Sequence, residues 1–328
     1  MSEISHLSER RRVRADIEGA LAASSLFSDL DHAELAEVAR LAEPFGLPAG
    51  DLLFRQGDRA EQLYVLEAGR LEIVARLPGD REMLLSQVGA GDVLGELSLV
   101  AGGTRTASAR AVETTRGLLI SRDAFGRLRT SLRPTGAAVM RRLSRVVYAR
   151  LRARCDSLAG DTFPAAEVDD PGGGRDLQPD DLVHMSRLDF FAHFGRLLPE
   201  VASRGARLEV ERGAVLVGAG SRPDRFLVTL RGAVEAAIEL GATRRRLRLA
   251  GPGRAPVYLG LLDDAPSPVV CRARERAHLF AMSRTDFAAL MDGHDEASRA
   301  FVDAVTQDLV GYLTQAERRQ ATILGVRP

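Results

Sequence analysis

Glu96 and Arg105 lie nine residues apart in the segment GDVLGELSLVAGGTRTASARA, residues 91–111. A guanidinium pairs with a phosphate through charge-assisted, bidentate hydrogen bonds, and a carboxylate accepts hydrogen bonds from sugar hydroxyls. Gly95 precedes the short helix-like stretch ELSLV, and the first turn of a helix leaves N–H groups that suit an anion. Thr106 adds a hydroxyl donor. The segment therefore supplies partners for a phosphate, a ribose and a nearby base.

The remaining composition excludes several chemistries. All 45 positive side chains are arginines, because the chain contains no lysine. A Schiff-base lysine, a P-loop lysine and the phosphate-binding lysine of protein kinases are therefore absent. The six histidines show no metal-ligand spacing, and no nucleophile or acid–base pair emerges. We expect a protein that is not an enzyme and that has no metal site.

Charge and cysteine content limit the compartment and the partners. The net charge is +0, so no global attraction to nucleic acid or to an anionic membrane is expected. Cys155 and Cys271 are the two cysteines, which argues against a disulfide framework and favours the cytoplasm. The N-terminus lacks the apolar core of a signal peptide, and no apolar run approaches the roughly 20 residues of a membrane span.

Two kinds of periodicity alternate along the chain. Residues 47–121 form short apolar runs broken by glycine turns, which predicts β-strands. Helical spacing precedes this stretch and returns at 123–132 and again at 134–158. In the last segment Met140, Val147 and Leu151 belong to one apolar stripe. The pattern predicts a mainly β domain with flanking helices.

The same pattern then repeats. Six residues recur at an offset of 163, and Ser121, Arg122 and Phe125 recur at an offset of 162. The six are Gly50, Leu53, Gly57, Arg59, Gly69 and Glu72, matched by Gly213, Leu216, Gly220, Arg222, Gly232 and Glu235. The chain is therefore predicted to be a duplication. Its expected parts are a helical, basic segment 1–22, a first domain 23–158, a Pro/Gly/Asp linker 159–186, a second domain 187–321 and a tail 322–328.

The first copy resembles the cyclic nucleotide-binding domain family. The resemblance covers residues 26–158 and depends on GDLLFRQGDRAEQLYVLEAGRLEI, VGAGDVLGELSL and TRTASARA. It implies two tandem jelly-roll β-barrels, each followed by a C-terminal helix. It also implies that Glu96 binds the ribose 2′-OH and that Arg105 binds the exocyclic phosphate of cAMP or cGMP.

The resemblance implies further contacts. Backbone amides around Gly95, Leu97, Ser98, Thr106 and Ala107 would complete the phosphate cradle, and Met83 and Leu85 would line the base pocket. The helix 134–158 would close over the base as a lid. Its candidate cap residues are Val146, Val147, Arg150 and Leu151. The Thr106 hydroxyl can also meet a guanine amino group, so both nucleotides remain open.

The second copy departs from this pattern. Its corresponding segment reads YLGLLDDAPSPVVCRARERA, residues 258–277, where Gly260 matches Gly95 but Leu261 replaces the glutamate. Counting back from the shared Ser-Arg-x-x-Phe motif places Ser267 at the position of Arg105, between two prolines that lack N–H groups. We expect the fold to persist here without nucleotide binding, unless Arg272 or Arg274 substitutes.

The sequence therefore predicts a cytoplasmic cyclic nucleotide sensor in signal transduction, with one ligand in the first barrel. Ligand binding would change the position of helix 134–158 relative to the second domain. That helix or the second domain would bind a protein partner or mediate self-association. Two alternatives stay open: a transcription regulator of the catabolite activator type, and a regulatory subunit of a separate kinase or other enzyme. No helix-turn-helix follows the first barrel, so nucleic acid is not the expected partner.

Overall fold

The computed structural model describes residues 13–76, 81–130, 134–159, 168–169, 172, 174–241 and 243–323. Residues 10–12 of the basic segment, residues 160–167, 170–171 and 173 of the expected linker and the tail from 324 lie outside the described residues. The chain divides into two compact units, residues 1–143 with 321–328 and residues 144–320. We call these unit 1 and unit 2.

Unit 1 begins with two helices and continues as a β-barrel. Helix α1 covers 13–22, and α2 covers His32–Ala39, whose N-terminus is capped reciprocally by Asp31 and Glu34. Two four-stranded antiparallel sheets follow, in the orders β1-β8-β3-β6 and β2-β7-β4-β5. The elements are β1 Ala42–Leu47, β2 Leu52–Phe54, β3 Gln62–Ala68, β4 Leu71–Arg76, β5 Glu82–Val88, β6 Val93–Leu94, α3 Glu96–Ala101, β7 Ser108–Ala111, β8 Thr115–Ser121, α4 Arg122–Thr130 and α5 Pro134–Ala159.

The barrel is closed by apolar residues that both sheets contribute. Tyr64, Leu66 and Leu94 come from the first sheet and pack against Leu71 and two alanines of β7 from the second. In β7 the two buried alanines alternate with more exposed residues, as expected for a strand with one buried face. The two sheets therefore face each other as in a jelly roll.

Unit 2 has the same kind of barrel. Its antiparallel sheets have the orders β10-β14-β12-β13 and β11-β15-β9. The elements are α6 Pro179–Met185, α7 Asp189–Ala192, a 3₁₀ turn Gly195–Leu197, α8 Leu198–Ala202, β9 Gly205–Val210, β10 Val215–Val217, β11 Arg225–Arg231, β12 Val234–Leu240, β13 Thr243–Ala250, β14 Val270–Ala273, β15 Ala277–Ser283, α9 Arg284–Asp292 and α10 Glu296–Ile323. Phenylalanines from α7, β11, α9 and α10 pack ring to ring at centroid distances of 4.9–6.1 Å.

Most elements of the first barrel recur in the second, although β6 and α3 have no counterpart among the described residues. Strands β1 to β3 recur 163 residues later as β9 to β11, and β7, β8 and α4 recur 162 residues later as β14, β15 and α9. Gly69 and Gly232, at the equivalent hairpin turns, both have positive φ, and a Cβ at either would collide with neighbouring backbone. The structure confirms the predicted tandem of jelly-roll barrels with flanking helices.

Two boundaries differ from the simple pattern. Helix α6 forms inside the segment expected to be a linker, with Pro179 at its start and the Asp181 carboxylate accepting from the Gln178 amide. Proline and aspartate are helix starters here rather than linker residues. Helix α5 is continuous from Pro134 to Ala159, and its residues from Ser144 onward belong to unit 2. Among the described residues, no helix is long and apolar enough to cross a membrane.

Candidate functional site

The predicted phosphate segment begins with a left-handed turn. Gly95 has φ 83° and ψ −2°, and it directly precedes Glu96, the first residue of α3. A Cβ at position 95 would collide with the Arg105 guanidinium and would lie 2.9 Å from the carbonyl oxygen of Gln62. Glycine is therefore required both by the backbone conformation and by the closeness of Arg105.

Arg105 lies inside the protein rather than on its surface. The residue is 3% exposed. Its Nη1 donates to the Gly95 carbonyl at 3.1 Å, and its Nη2 donates to the Gln62 carbonyl at 2.5 Å. The guanidinium carbon lies 4.3 Å from the ring centroid of Phe54 and 5.8 Å from that of Tyr64. The guanidinium is thus held by two carbonyls and two aromatic rings.

The charge of Arg105 is incompletely satisfied. Its Nε–H is buried and has no hydrogen-bond partner among the described residues. Burial lowers the pKa of the guanidinium from its ordinary value, although Tyr64 and Glu96 act in the opposite direction. An arginine stays protonated at neutral pH, so a cation is buried here with one N–H unused. An anionic phosphate oxygen fits this donor.

The other predicted cassette residues surround the same turn. Glu96 is 1% exposed, and its charge contributes to the electrostatics of Arg105. Ser98 and Ala107 are buried, Leu97 is half-buried, and Thr106 is exposed. The structure therefore places the start of α3 beside the loop that enters β7. A carboxylate, a guanidinium and the backbone of a glycine turn come together as the sequence predicts.

The two predicted base-pocket residues lie elsewhere on the barrel. Met83 and Leu85 belong to β5, which is separated from β7 by β4. Met83 is half-buried, whereas Leu85 is 49% exposed at a register shift between Ile73 and Val74.

The residues that hold Arg105 are not evident from local sequence patterns. Phe54, Gln62 and Tyr64 come from β2 and β3, more than 40 residues before Arg105 in the chain. Their alternation along short strands indicates a barrel but not which of them faces the cassette. Only the pairing of β3 within its sheet and of β2 with β7 brings them to the arginine.

The second barrel contains the equivalent cassette. Gly57 N–H donates to the Arg105 carbonyl and Arg105 N–H donates to the Asp58 carbonyl. The same two bonds join Gly220 to Ser267 and Ser267 to Ser221. Ser267 therefore occupies the position of Arg105, as the count from the shared motif predicts. Gly260, with φ 89°, has the left-handed turn of Gly95.

The side-chain chemistry of the second cassette is different. Ser267 is 0% exposed, and its hydroxyl bonds only to the backbone of Val269 among the described residues. Arg284, the counterpart of Arg122, donates to the Gly260 carbonyl, which corresponds to the bond between Arg105 and Gly95. Residues 258–269 contain no helix matching α3. The second cassette keeps the backbone frame, but it has Ser267 in place of Arg105 and Leu261 in place of Glu96.

The expected cap residues belong to unit 2. Val146, Val147, Arg150 and Leu151 lie in the part of α5 that follows residue 143. Val147 and Leu151 are 0% exposed, and Val146 and Arg150 are half-buried. In this structure two of the three apolar cap candidates, Val147 and Leu151, are fully buried.

Comparison with known proteins agrees with the two barrels. The family model described as the cyclic nucleotide-binding domain matches residues 45–131 and 207–294, together more than half of the chain. The CRP-like cAMP-activated global transcriptional regulator of Mycobacterium tuberculosis is 32% identical over 139 residues, which are 42% of this chain and 60% of that protein. A cGMP-dependent protein kinase of Drosophila melanogaster, isozyme 2, is 23% identical over 297 residues, 89% of this chain and 23% of the kinase.

A solved structure gives a comparable match. The regulatory domain of Toxoplasma gondii PKA with cAMP shares 21% identity, covers 86% of this chain and 93% of its own, and has a TM-score of 0.33. The chain spans about three fifths of the length of the mycobacterial regulator and about a quarter of the kinase. Both family matches coincide with the barrels described above, and the chain therefore belongs to the cyclic nucleotide-binding domain family.

Proposed function

We propose that this protein is a cyclic nucleotide sensor that binds cAMP or cGMP in the barrel of unit 1. The supporting observation is the buried Arg105 guanidinium with an unused N–H, beside the Gly95 turn and the buried Glu96. On this proposal the protein acts in the cytoplasm, by binding rather than by catalysis. The second barrel takes no nucleotide.

The residues divide the recognition between them. Arg105 would bind the exocyclic phosphate, and Glu96 would accept the ribose 2′-OH. The backbone N–H groups of residues 95–98 and 106–107 would complete the cradle. The Nε–H of Arg105 is available for the phosphate, whereas Nη1 holds the Gly95 carbonyl. If Nη1 released the Gly95 carbonyl to bind the phosphate, ligand binding would alter the turn at which α3 begins.

A second function, regulation of a separate kinase, is supported by one observation. The match to the cGMP-dependent kinase extends over 89% of this chain, which includes both barrels. A sensor that acts on an enzyme in trans would bind that enzyme differently with and without nucleotide. Affinity capture of a recombinant kinase catalytic domain, with and without cAMP or cGMP, tests this alternative.

Isothermal titration calorimetry with cAMP and with cGMP tests the main proposal. We expect one nucleotide per chain, and Arg105→Ala should weaken binding by about 1.5–3 kcal/mol, or roughly 10- to 150-fold, because a charged hydrogen bond is lost. The control is Arg116→Ala, which removes an arginine that is 71% exposed and paired with Glu67 at 3.6 Å. Unchanged affinity in a folded Arg105→Ala protein would refute the proposed site.

A further inference from the structure

The second cassette is covered by a segment of the same chain. Residues 144–159 of α5 and the loop 258–267 both belong to unit 2. The Gly260 N–H donates to the Tyr148 hydroxyl oxygen at 3.2 Å, in a buried hydrogen bond. Gly260 corresponds to Gly95, whose backbone is part of the proposed phosphate cradle. A tyrosine oxygen therefore accepts a hydrogen bond from a backbone amide that the cradle would offer to a ligand.

A second side chain of α5 reinforces this contact. Arg152 donates to the Pro266 carbonyl at 2.9 Å and lies 3.5 Å from the Asp263 carboxylate. Burial, together with the nearby Asp263 carboxylate, raises the pKa of Tyr148. Tyr148 and Arg152 are four residues apart and thus lie on one face of the helix. Two adjacent turns of α5 therefore hydrogen-bond to both ends of the loop 260–266.

Other polar groups of the second cassette form hydrogen bonds with residues of the second barrel. Arg284 donates to the Gly260 carbonyl, and the backbone N–H and carbonyl of Ser267 bond to Ser221 and Gly220. A nucleotide phosphate would have to displace Tyr148 and would find no arginine at position 267. The hydrogen-bonding groups of the second cassette are therefore arranged to bind α5 and not to bind a nucleotide.

The same helix carries the expected lid of the first site. Residues 134–143 of α5 belong to unit 1, whereas Val147 and Leu151 belong to unit 2, and both side chains are fully buried. A helix segment that Tyr148 and Arg152 hold against the loop 258–267 is not free to move over a base. Docking of residues 144–159 and closure of the lid would therefore exclude each other.

We propose that the second cassette is a docking site for residues 144–159 of α5, with Tyr148 in the place of a ligand, and that docking lowers the nucleotide affinity of the first site. The docking part stands on the contacts within unit 2. The affinity part rests on the proposed sensor function. On this proposal the second barrel restrains the lid helix through Tyr148 and Arg152, and loss of these contacts increases the nucleotide affinity of the first site.

Hydrogen exchange of single amides tests the docking part without any nucleotide. In Tyr148→Phe, exchange at Gly260 should become about fivefold faster relative to exchange at Val228 in the core strand β11, because one hydrogen bond is lost. The control is Tyr312→Phe, whose hydroxyl is buried and has no hydrogen-bond partner among the described residues. If the ratio of the two exchange rates is the same in Tyr148→Phe as in the parent protein, α5 does not dock in solution.

Calorimetry tests the affinity part. Tyr148→Phe and Arg152→Gln should bind cAMP or cGMP about fivefold or more tightly than the parent, the scale of a modest coupling between two sites. Arg116→Gln is the control, because its side chain is 71% exposed and its 3.6 Å ion pair with Glu67 lies outside α5 and the second barrel. If both variants bind nucleotide with the same affinity as the parent or more weakly, docking does not lower the affinity of the first site. Absence of nucleotide binding by the parent overturns the sensor function, and the exchange ratio still decides the docking.

Discussion

Arg105 and Arg248 are both buried, but their charges are balanced differently. Arg248 is 1% exposed and lies 2.5 Å from the Asp308 carboxylate, which keeps its pKa above the ordinary value despite burial. Arg105 bonds to two carbonyl oxygens, and burial lowers its pKa. A buried cation gains most from an anionic partner. Arg248 has such a partner in its own unit, and Arg105 is the arginine that an incoming phosphate would stabilise.

Glu96 gives the first prediction at the residue scale. The parent protein should prefer cAMP to 2′-deoxy-cAMP by about tenfold or more, since a site built for a hydroxyl rejects the analogue that lacks it. In Glu96→Gln this preference should shrink to about threefold or less, because a neutral amide accepts a weaker bond. Titration of both nucleotides against both proteins measures it.

Glu113→Gln is the control for this comparison. Its carboxylate is 54% exposed and pairs with Arg70 at 3.6 Å. We expect this variant to keep the full preference for cAMP. A Glu96→Gln protein with an undiminished preference would show that Glu96 does not contact the ribose.

At the scale of elements, the turn before α3 is the most constrained part of the cassette. Gly95→Ala should destabilise unit 1 and abolish nucleotide binding, because an L-residue disfavours φ 83° and its Cβ collides with Arg105. Gly126→Ala is the matched control, since a Cβ in α4 would meet no atom within 4 Å. It should stabilise unit 1 by about 0.5–1 kcal/mol. Thermal unfolding followed by circular dichroism distinguishes the two, and equal melting temperatures would contradict the argument.

Helix α10 is joined to the second barrel by a buried ion pair. Asp308 accepts hydrogen bonds from Arg248, from the Ala255 N–H at 3.3 Å and from the Tyr258 hydroxyl at 2.8 Å. Asp308→Ala leaves these donors buried without an acceptor. We expect a loss of about 3–5 kcal/mol in the free energy of unfolding of unit 2.

Urea unfolding measures this loss. The control is Arg196→Ala, which removes an ion pair to Glu296 whose arginine is 80% exposed. A surface pair of this kind contributes about 0–1 kcal/mol. Similar unfolding midpoints for the two variants would show that Asp308 does not hold α10 to the barrel.

The sequence predicts the secondary-structure elements better than it predicts which elements contact each other. The offset of 163 residues locates β9 to β11 from β1 to β3, because turn glycines and alternating apolar residues depend on local geometry. Gly95, Glu96 and Arg105 are also identified from local spacing. The partners of Arg105 are not, because Phe54 and Gln62 reach it only through strand pairing. The burial of Val147 and Leu151 likewise depends on tertiary packing rather than on local pattern. Helix α6 has local signals, Pro179 and the Asp181 cap, but proline and aspartate also occur in linkers.

At the scale of the whole molecule, the duplication produced two equivalent positions with opposite properties. Arg105 and Ser267 share the same backbone hydrogen bonds, but only the first carries a charge. Arg105→Ala should abolish or strongly weaken the single nucleotide site, whereas Ser267→Ala should leave one site of parental affinity. Calorimetric stoichiometry measures both. A second site in the parent protein, or a loss of binding in Ser267→Ala, would contradict the asymmetry between the barrels.

The position of residue 144 inside α5 has a consequence for how the chain can be divided. A fragment that starts after the Pro/Gly/Asp segment would lack Tyr148 and Arg152, so the Gly260 N–H and the Pro266 carbonyl would lose their partners. It would also lack the fully buried side chains of Val147 and Leu151. We therefore expect a fragment that contains the second barrel to be more stable when it begins within α5 than when it begins after the Pro/Gly/Asp segment. The boundary between the duplicated sequences and the boundary between the two compact units do not coincide.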